Sequence, residues 1–200
     1  LAAFERSQQT TDELRFGAIA GPGRVSRYLL VCTAQAVGTF LLAWVIGITA
    51  GQDDDWILNS GTLEVQANQY ANLSASGRGI ATGIFSGDGD DVIINEGSIM
   101  IRAGGSFLTS GSGLAIDAGA GDDTVILADG SSIIGDVLLG SGDDLLVLTG
   151  RPVVEGLIRA GDDVDTLVLD GAGWFDHHLE GFDRVMKQGP GTYTVSGLSP

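Results

Sequence analysis

Polar segments rich in glycine and aspartate alternate with short apolar runs between Ala118 and Leu169, at a constant step of 21 residues. The polar segments are Gly119–Asp123, Gly140–Asp144 and Gly161–Asp165, and the apolar runs are Val125–Leu127, Leu146–Leu148 and Leu167–Leu169. A fixed period of this size is typical of solenoid proteins, in which each repeat stacks on the one before it. The pattern predicts parallel strands at the apolar runs and tight corners at the polar segments.

Longer repeats of the same kind precede this region. Asn59–Ala67 alternates apolar and polar residues, as a strand does, and the pattern returns 36 residues later as Asn95–Ala103. Ser86–Ile94 matches Ala118–Ile126 with one slip of register. The sequence therefore predicts an all-β fold over residues 57–200, a parallel β-helix (β-solenoid) of about seven coils of uneven size.

The last part of the chain has a weaker pattern. Phe182–Lys187 and Thr192–Ser196 are two short alternating runs on either side of Gln188–Gly191. This arrangement predicts either a hairpin or one more coil with a tight corner. Residues 171–178, which precede it, are predicted to be a loop or a corner of the solenoid.

Residues 28–50 are an apolar run of 23 residues without a charge. As a helix the run would be about 34 Å long, enough to cross a hydrocarbon core of about 30 Å. Arg24 and Arg27 precede it and Asp53–Asp55 follow it, so the positive-inside rule keeps the N-terminus in the cytoplasm and exports the rest. The run predicts one N-terminal hydrophobic helix. This helix is a transmembrane anchor, a long signal peptide cut after Ala50, or a buried helix of a soluble domain.

These patterns divide the chain into four parts. They are a polar N-terminal extension (1–27), the transmembrane helix or long signal peptide (28–50), a linker (51–56) and the β-solenoid domain (57–200).

Charge is distributed unevenly between these parts. The chain of 200 residues has a net charge of −16. Residues 1–50 hold four arginines against three acidic residues, a net +1, so residues 51–200 hold −17. Such a surface repels nucleic acid and anionic membranes, so neither is a predicted partner, and a membrane contact is predicted only through an uncleaved 28–50 segment. The single cysteine, Cys32, excludes an intramolecular disulfide.

Three motifs together resemble the passenger domains of bacterial autotransporters. They are the Gly-x-Gly-Asp-Asp corners, the Asn-x-Gly-[Ser/Thr] openings at Asn59 and Asn95, and the closing run from Phe182 to Gly197. The resemblance covers about residues 57–197. It implies a right-handed parallel β-helix that is secreted or held at the bacterial cell surface, associated with the outer membrane, with a non-catalytic adhesin or stalk role. Its host or cell-surface ligand is not given by the sequence.

The chain begins at Leu1 rather than Met, and it has no alternating strands that would build an outer-membrane barrel after Pro200. We therefore expect either a fragment of a longer protein or a route of translocation other than the usual one of the family.

The corners also resemble, more weakly, the calcium-binding nonapeptides of RTX proteins, and this resemblance implies calcium as a ligand. The candidate ligands are the corner aspartates Asp91, Asp123, Asp144 and Asp165. Calcium takes six to eight oxygen ligands, whereas the corners here are 21 residues apart rather than in tandem. Two alternatives therefore stand, a column that binds calcium and a column of aspartates that cap turns. No other cofactor is predicted.

The sequence does not predict catalysis. Solenoid glycosidases use paired carboxylates, which the repeat itself explains here, together with basic residues in a groove. His177 and His178 have no metal-ligand spacing to a third residue and are predicted to be solvated. The basic residues beyond residue 50 are Arg78, Arg102, Arg151, Arg159, Arg184 and Lys187. A polysaccharide-degrading solenoid enzyme is the alternative, and it predicts an Arg or Lys beside two carboxylates at one level of the helix.

Overall fold

A computed structural model of the chain describes residues 23–35, 40–70, 76–103 and 112–199. These residues form strands and connecting turns, and no helix occurs among them. The strands are β1 (Gly23–Gln35), β2 (Phe40–Thr49), β3 (Trp56–Tyr70), β4 (Ser76–Asp88), β5 (Val92–Asn95), β6 (Ser98–Ala103), β7 (Ser112–Ala120), β8 (Thr124–Leu127), β9 (Ser132–Ile134), β10 (Asp136–Ser141), β11 (Leu145–Thr149), β12 (Val153–Glu155), β13 (Leu157–Asp162), β14 (Thr166–Asp170), β15 (Gly173–Glu180), β16 (Arg184–Gln188) and β17 (Tyr193–Ser199).

The paired strands lie in two parallel sheets. The first has the order β12-β9-β6-β3-β5-β8-β11-β14-β16, with β1 also beside β3, and the second has the order β17-β15-β13-β10-β7-β4-β2. β3 pairs with β5 through its first residues and with β6 through its later ones, so the first sheet has two arms that meet at β3. Each passage of the chain thus lies beside the preceding one, and we call each passage a level. The prediction of an all-β fold with parallel strands is confirmed.

Register along the stack follows the repeat of the sequence. Leu146 lies between Val125 and Leu167 in the first sheet, one period away on each side. In the second sheet Gly140 lies between Gly119 and Gly161 in the same way. The predicted 21-residue register is therefore confirmed.

The longer repeats are in register as well. Asn59 pairs with Asn95, as the 36-residue repeat predicts. Gly87 pairs with Gly119 and Val92 pairs with Thr124, so Ser86–Ile94 aligns with Ala118–Ile126 without the predicted slip. The slip was inferred from side-chain types alone, whereas the backbone of the two corners matches residue for residue.

The apolar residues that alternate along the strands meet in one core. β8 and β11 alternate partly buried with buried residues, and Val125, Leu146 and Leu167 have no exposed surface. Burial of a side chain of this size stabilises the fold by about 1.5–3 kcal/mol relative to exposure. Because the strands repeat in register, each buried side chain packs on the equivalent residue of the next level.

The N-terminal apolar segment is extended in the structure, in contrast to the predicted hydrophobic helix over residues 28–50. β1 runs in register along β3, with Leu30 beside Val65, and β2 runs along β4, with Val45 beside Ala81. The segment is rich in β-branched residues, which fit a pleated surface, and β3 and β4 offer it hydrogen-bonding edges. Within the part of the chain that the structure describes, no helix is long and apolar enough to cross a membrane. Residues 36–39 and the extension up to residue 22 lie outside the described residues.

Residues 51–55, predicted as part of a linker, form a corner like the later ones. The N–H of Asp55 donates to the Asp91 carboxylate at 2.7 Å, and the carbonyl of Gly51 lies against Gly87. This corner therefore belongs to the stack, because it makes the same contacts to the following level as the later corners do.

The C-terminal part also differs from its prediction. Residues 171–178 include most of β15, a strand that pairs with β13 and β17, rather than a loop. The polar residues Asp176, His177 and His178 conceal the alternation that buries Phe175 and Leu179. β16 pairs with β14 and β17 with β15, both in parallel, so the tail is a further passage of the chain and not a hairpin.

Candidate functional site

The corners of the stack are built by glycines that approach the level before them. Gly119 and Gly140 have φ angles of 107° and 126°, which side chains rarely adopt. A Cβ on Gly140 would overlap the carbonyl oxygen of Gly119, and one on Gly119 would overlap that of Gly87. The glycines thus let one corner rest directly on the next, and this contact fixes the position of the aspartates that follow.

One corner departs from this pattern. Asp163 occupies the place that Gly142 holds one period earlier, and its φ is 79°. It is the single residue other than glycine with a positive φ among the described residues. Aspartate tolerates the left-handed conformation better than most residues because its short side chain bonds locally.

The predicted aspartate column exists and is longer than the sequence indicated. We call it the inner column, and its members are Asp55, Asp91, Asp123, Asp144, Asp165 and Asp183. The backbone N–H of each aspartate donates to the carboxylate of the next level, for example from Asp123 to Asp144 Oδ1 at 2.9 Å. The column is therefore a continuous ladder in which each side chain caps the corner before it.

A second column runs beside the first with the opposite polarity. We call it the outer column, and its members are Asp54, Asp90, Asp122 and Asp143. Here the N–H of each aspartate donates to the carboxylate of the preceding level, as from Asp122 to Asp90 Oδ1 at 2.9 Å. Val164 replaces aspartate in the last corner, and its N–H still donates to Asp143 at 3.1 Å. Adjoining corners are thus joined by hydrogen bonds in both directions.

Four inner aspartates are buried and only half satisfied. Asp91, Asp123, Asp144 and Asp165 are at most 1 % exposed, and their second carboxyl oxygen, Oδ2, has no hydrogen-bond partner. Burial raises the pKa of Asp123 and of Asp144 to about 7, against an ordinary value of 3.8. The backbone N–H bond lowers these pKa values, and the neighbouring carboxylates raise them further. Burial also raises the pKa of Asp91 and of Asp165.

A shorter amide ladder lies near the first aspartate corners. The buried Asn59 donates from Nδ2 to Asn95 Oδ1 at 2.8 Å and accepts the N–H of Gly61 at 3.3 Å. These are the asparagines of the Asn-x-Gly openings, so the motif serves to join two levels. An amide can fill such a position without carrying a charge.

The residues predicted as candidate calcium ligands are brought into one column but not to one point. Asp91, Asp123, Asp144 and Asp165 each occupy a separate level, and Oδ1 of each accepts a backbone N–H. Among the described residues, no three Asp, Glu, His or Cys side chains are grouped as a metal ion would require. In this arrangement the aspartates act as turn caps.

We expect calcium to have little effect on stability. Because the Oδ1 atoms of the inner column are already bonded within the protein, the melting temperature should agree within a few degrees in excess calcium and in EDTA. A site that binds only the folded state and is saturated a hundredfold would add about 2.7 kcal/mol and shift melting visibly. Circular dichroism melting measures this difference, and unfolding by EDTA would restore the calcium-dependent alternative.

The basic residues and histidines lie on the outer surface of the sheets. Arg159 Nε is 3.3 Å from Glu180 Oε2, and His178 Nε2 is 3.9 Å from Glu180 Oε1. His178 is exposed, as predicted, although it lies on β15 rather than in a loop. The described ion pairs, which include Arg102 with Glu64 at 3.2 Å, each join one arginine to one carboxylate.

Sequence reasoning did not single out the outer column, the unpaired Oδ2 atoms or the Asn59–Asn95 bond. The doubled aspartate of each Gly-x-Gly-Asp-Asp corner was a signal for the outer column, since two adjacent residues of one corner must face different sides. The unpaired oxygens have no sequence signal, because they depend on which atoms reach the corner.

Comparison of the chain with models of known protein families, with curated proteins and with solved structures found no match. The argument for function therefore depends on the sequence patterns and on the geometry described above.

Proposed function

We propose that residues 57–199 form a closed parallel β-solenoid, exported to the bacterial cell surface or secreted, that serves as a non-catalytic adhesin-like module or stalk. The observation that carries the proposal is the use of the aspartates. The inner and outer columns bond to backbone N–H groups of adjoining levels, so the most abundant carboxylates of the domain hold the levels together. A solenoid with its carboxylates used in this way suits a rigid spacer or binding surface.

Export is the second part of the proposal. It is supported by the uncharged residues 28–50, by Arg24 and Arg27 before them and by the acidic residues that follow. Export signals act on a chain before it folds, so the strand conformation of β1 and β2 leaves this part open to experiment. The resemblance of the closing run to autotransporter passengers agrees with a bacterial surface location.

A reporter fusion tests export directly. Residues 1–60 are fused to a phosphatase that is active only outside the cytoplasm, and the matched control carries residues 51–60 alone. We expect phosphatase activity from the first fusion and none from the second. Equal activity of the two fusions would mean that residues 28–50 do not direct export. Sequencing of the mature N-terminus distinguishes a cleaved signal from an anchor.

The non-catalytic role has its own measurement. The purified domain should release no reducing ends from acidic polysaccharides, because Arg102 and Arg159 each pair with a single carboxylate. Release of reducing ends that disappears in an Arg159→Ala variant would replace the stalk proposal with the solenoid enzyme.

A further inference from the structure

The buried corner carboxyls also imply a response to pH, which is independent of the export and adhesion proposals. We propose that the inner column binds protons when the chain folds, so that the folded domain is most stable in a mildly acidic medium and becomes less stable as the medium turns neutral.

The geometry of a single rung gives the first reason. Oδ1 of Asp144 accepts the N–H of Asp123 at 2.9 Å, while Oδ2 is buried and has no partner. A carboxylate shares its charge between both oxygens, so one bonded oxygen leaves half of the charge without solvation. A proton on Oδ2 removes the charge and keeps the bond to Oδ1. The same holds for Asp91, Asp123 and Asp165.

The neighbours of the column give the second reason. Consecutive rungs face each other along the stack, and the outer column stands beside them. The further charged groups that act on the four buried rungs are all carboxylates: Asp54, Asp55, Asp90, Asp122, Asp143, Asp163 and Asp183. Like charges disfavour ionisation of the buried rungs, and no cation among the described side chains offsets them.

The direction of the pH effect follows from the pKa values. The pKa of Asp123 and of Asp144 is about 7 in the folded domain against 3.8 ordinarily, so the folded chain binds more protons than the unfolded chain between these limits. The stabilisation is complete below pH 3.8 and is lost as the pH rises through about 7. Each additional bound proton multiplies the unfolding constant by about ten for every pH unit gained.

Urea unfolding at several pH values in the presence of EDTA tests the proposal. Between pH 5 and pH 7 the unfolding constant of the parent should rise at least about tenfold per pH unit, since two rungs retain protons there. The variant Asp123→Asn/Asp144→Asn should show a much flatter dependence. Asparagine keeps the accepting Oδ1, as Asn95 does for Asn59, and it carries no charge at any pH.

The outer column supplies the matched control. Asp122→Asn/Asp143→Asn removes two charges from the same corners at exposed positions, and it should keep most of the slope of the parent. An unfolding constant of the parent that is unchanged or falls between pH 5 and pH 7 would overturn the proposal. Equal slopes of the parent and the inner-column variant would do the same.

A measurement on the parent protein covers the case in which the inner-column variant fails to fold. The carboxyl ¹³C resonances of aspartate report protonation directly. We expect at least two aspartate carboxyls to remain protonated at pH 6 in the folded domain. Complete ionisation of all aspartates at pH 6 would contradict the inferred protonation.

Discussion

Replacement of Gly140 with alanine is expected to unfold the domain. The φ of Gly140 is 126°, a conformation that side chains rarely adopt, and the new Cβ would overlap the carbonyl oxygen of Gly119. Relief of the overlap would separate two levels and stretch the bonds of both aspartate columns across this corner. We expect a loss of about 4 kcal/mol or more, which is most of the stability of many domains. The urea midpoint and the loss of the β signal in circular dichroism measure this effect.

Gly130 offers the matched control for this substitution. Its φ is also positive, at 73°, but a Cβ there would meet no atom within 4 Å. Gly130→Ala should therefore cost only the strain of a left-handed alanine, about 1 kcal/mol. Equal urea midpoints for the two variants would show that corner contact between levels does not hold the stack together.

Replacement of Leu146 with aspartate is expected to prevent folding. Leu146 has no exposed surface and lies between Val125 and Leu167 of the adjoining levels. The substitution removes a packed side chain, which alone costs about 2–5 kcal/mol, and it places an unpaired charge in the core. The variant should lack a cooperative melting transition under conditions in which the parent is folded.

Val147 lies next to Leu146 on the same strand and provides the comparison. Its side points away from the core by the alternation of β11, and it is partly exposed. Val147→Asp should remain folded and lose about 1 kcal/mol, because aspartate suits a strand less well than valine. Cooperative melting of Leu146→Asp close to that of Val147→Asp would contradict the assigned strand register.

The sequence was most informative where its period is constant. Leu146 and Leu167 could be placed in register because every column between Ala118 and Leu169 keeps its residue type. Gly140 could be placed in a corner because tight turns need glycine. Local chemistry and long-range pairing agree in this region, so the pattern alone determines both the strand and its neighbours.

The N-terminal segment shows where this reasoning fails. Residues 28–50 are apolar throughout and give neither a period of two nor a helical period, so they fit a strand and a membrane helix equally well. Their pairing with β3 and β4 decides the conformation, and this pairing is long-range information. β15 was missed for a related reason, since Asp176, His177 and His178 are three consecutive polar residues at a bulge in its pairing with β17.

The candidate site was predicted in outline only. Asp123, Asp144 and Asp165 were placed in a column by their spacing, and the structure extends this column in both directions. The opposite polarity of the outer column could not be predicted, because it depends on which N–H of each Gly-x-Gly-Asp-Asp corner points to which neighbour. The calcium alternative arose from residue types, whereas the atoms that accept hydrogen bonds are known only from coordinates.

The unequal size of the levels has a consequence for how such a domain can change during evolution. The step from one inner aspartate to the next falls from 36 to 32 and then to 21 residues, while the corner contacts stay the same. Extra residues fall between β6 and β7, which end and begin at Ala103 and Ser112, whereas Gly135 alone joins β9 to β10. Since lengthening a loop costs little entropy, this junction can accept insertions that leave the corners unchanged. It is also the natural position at which to graft a foreign peptide for display.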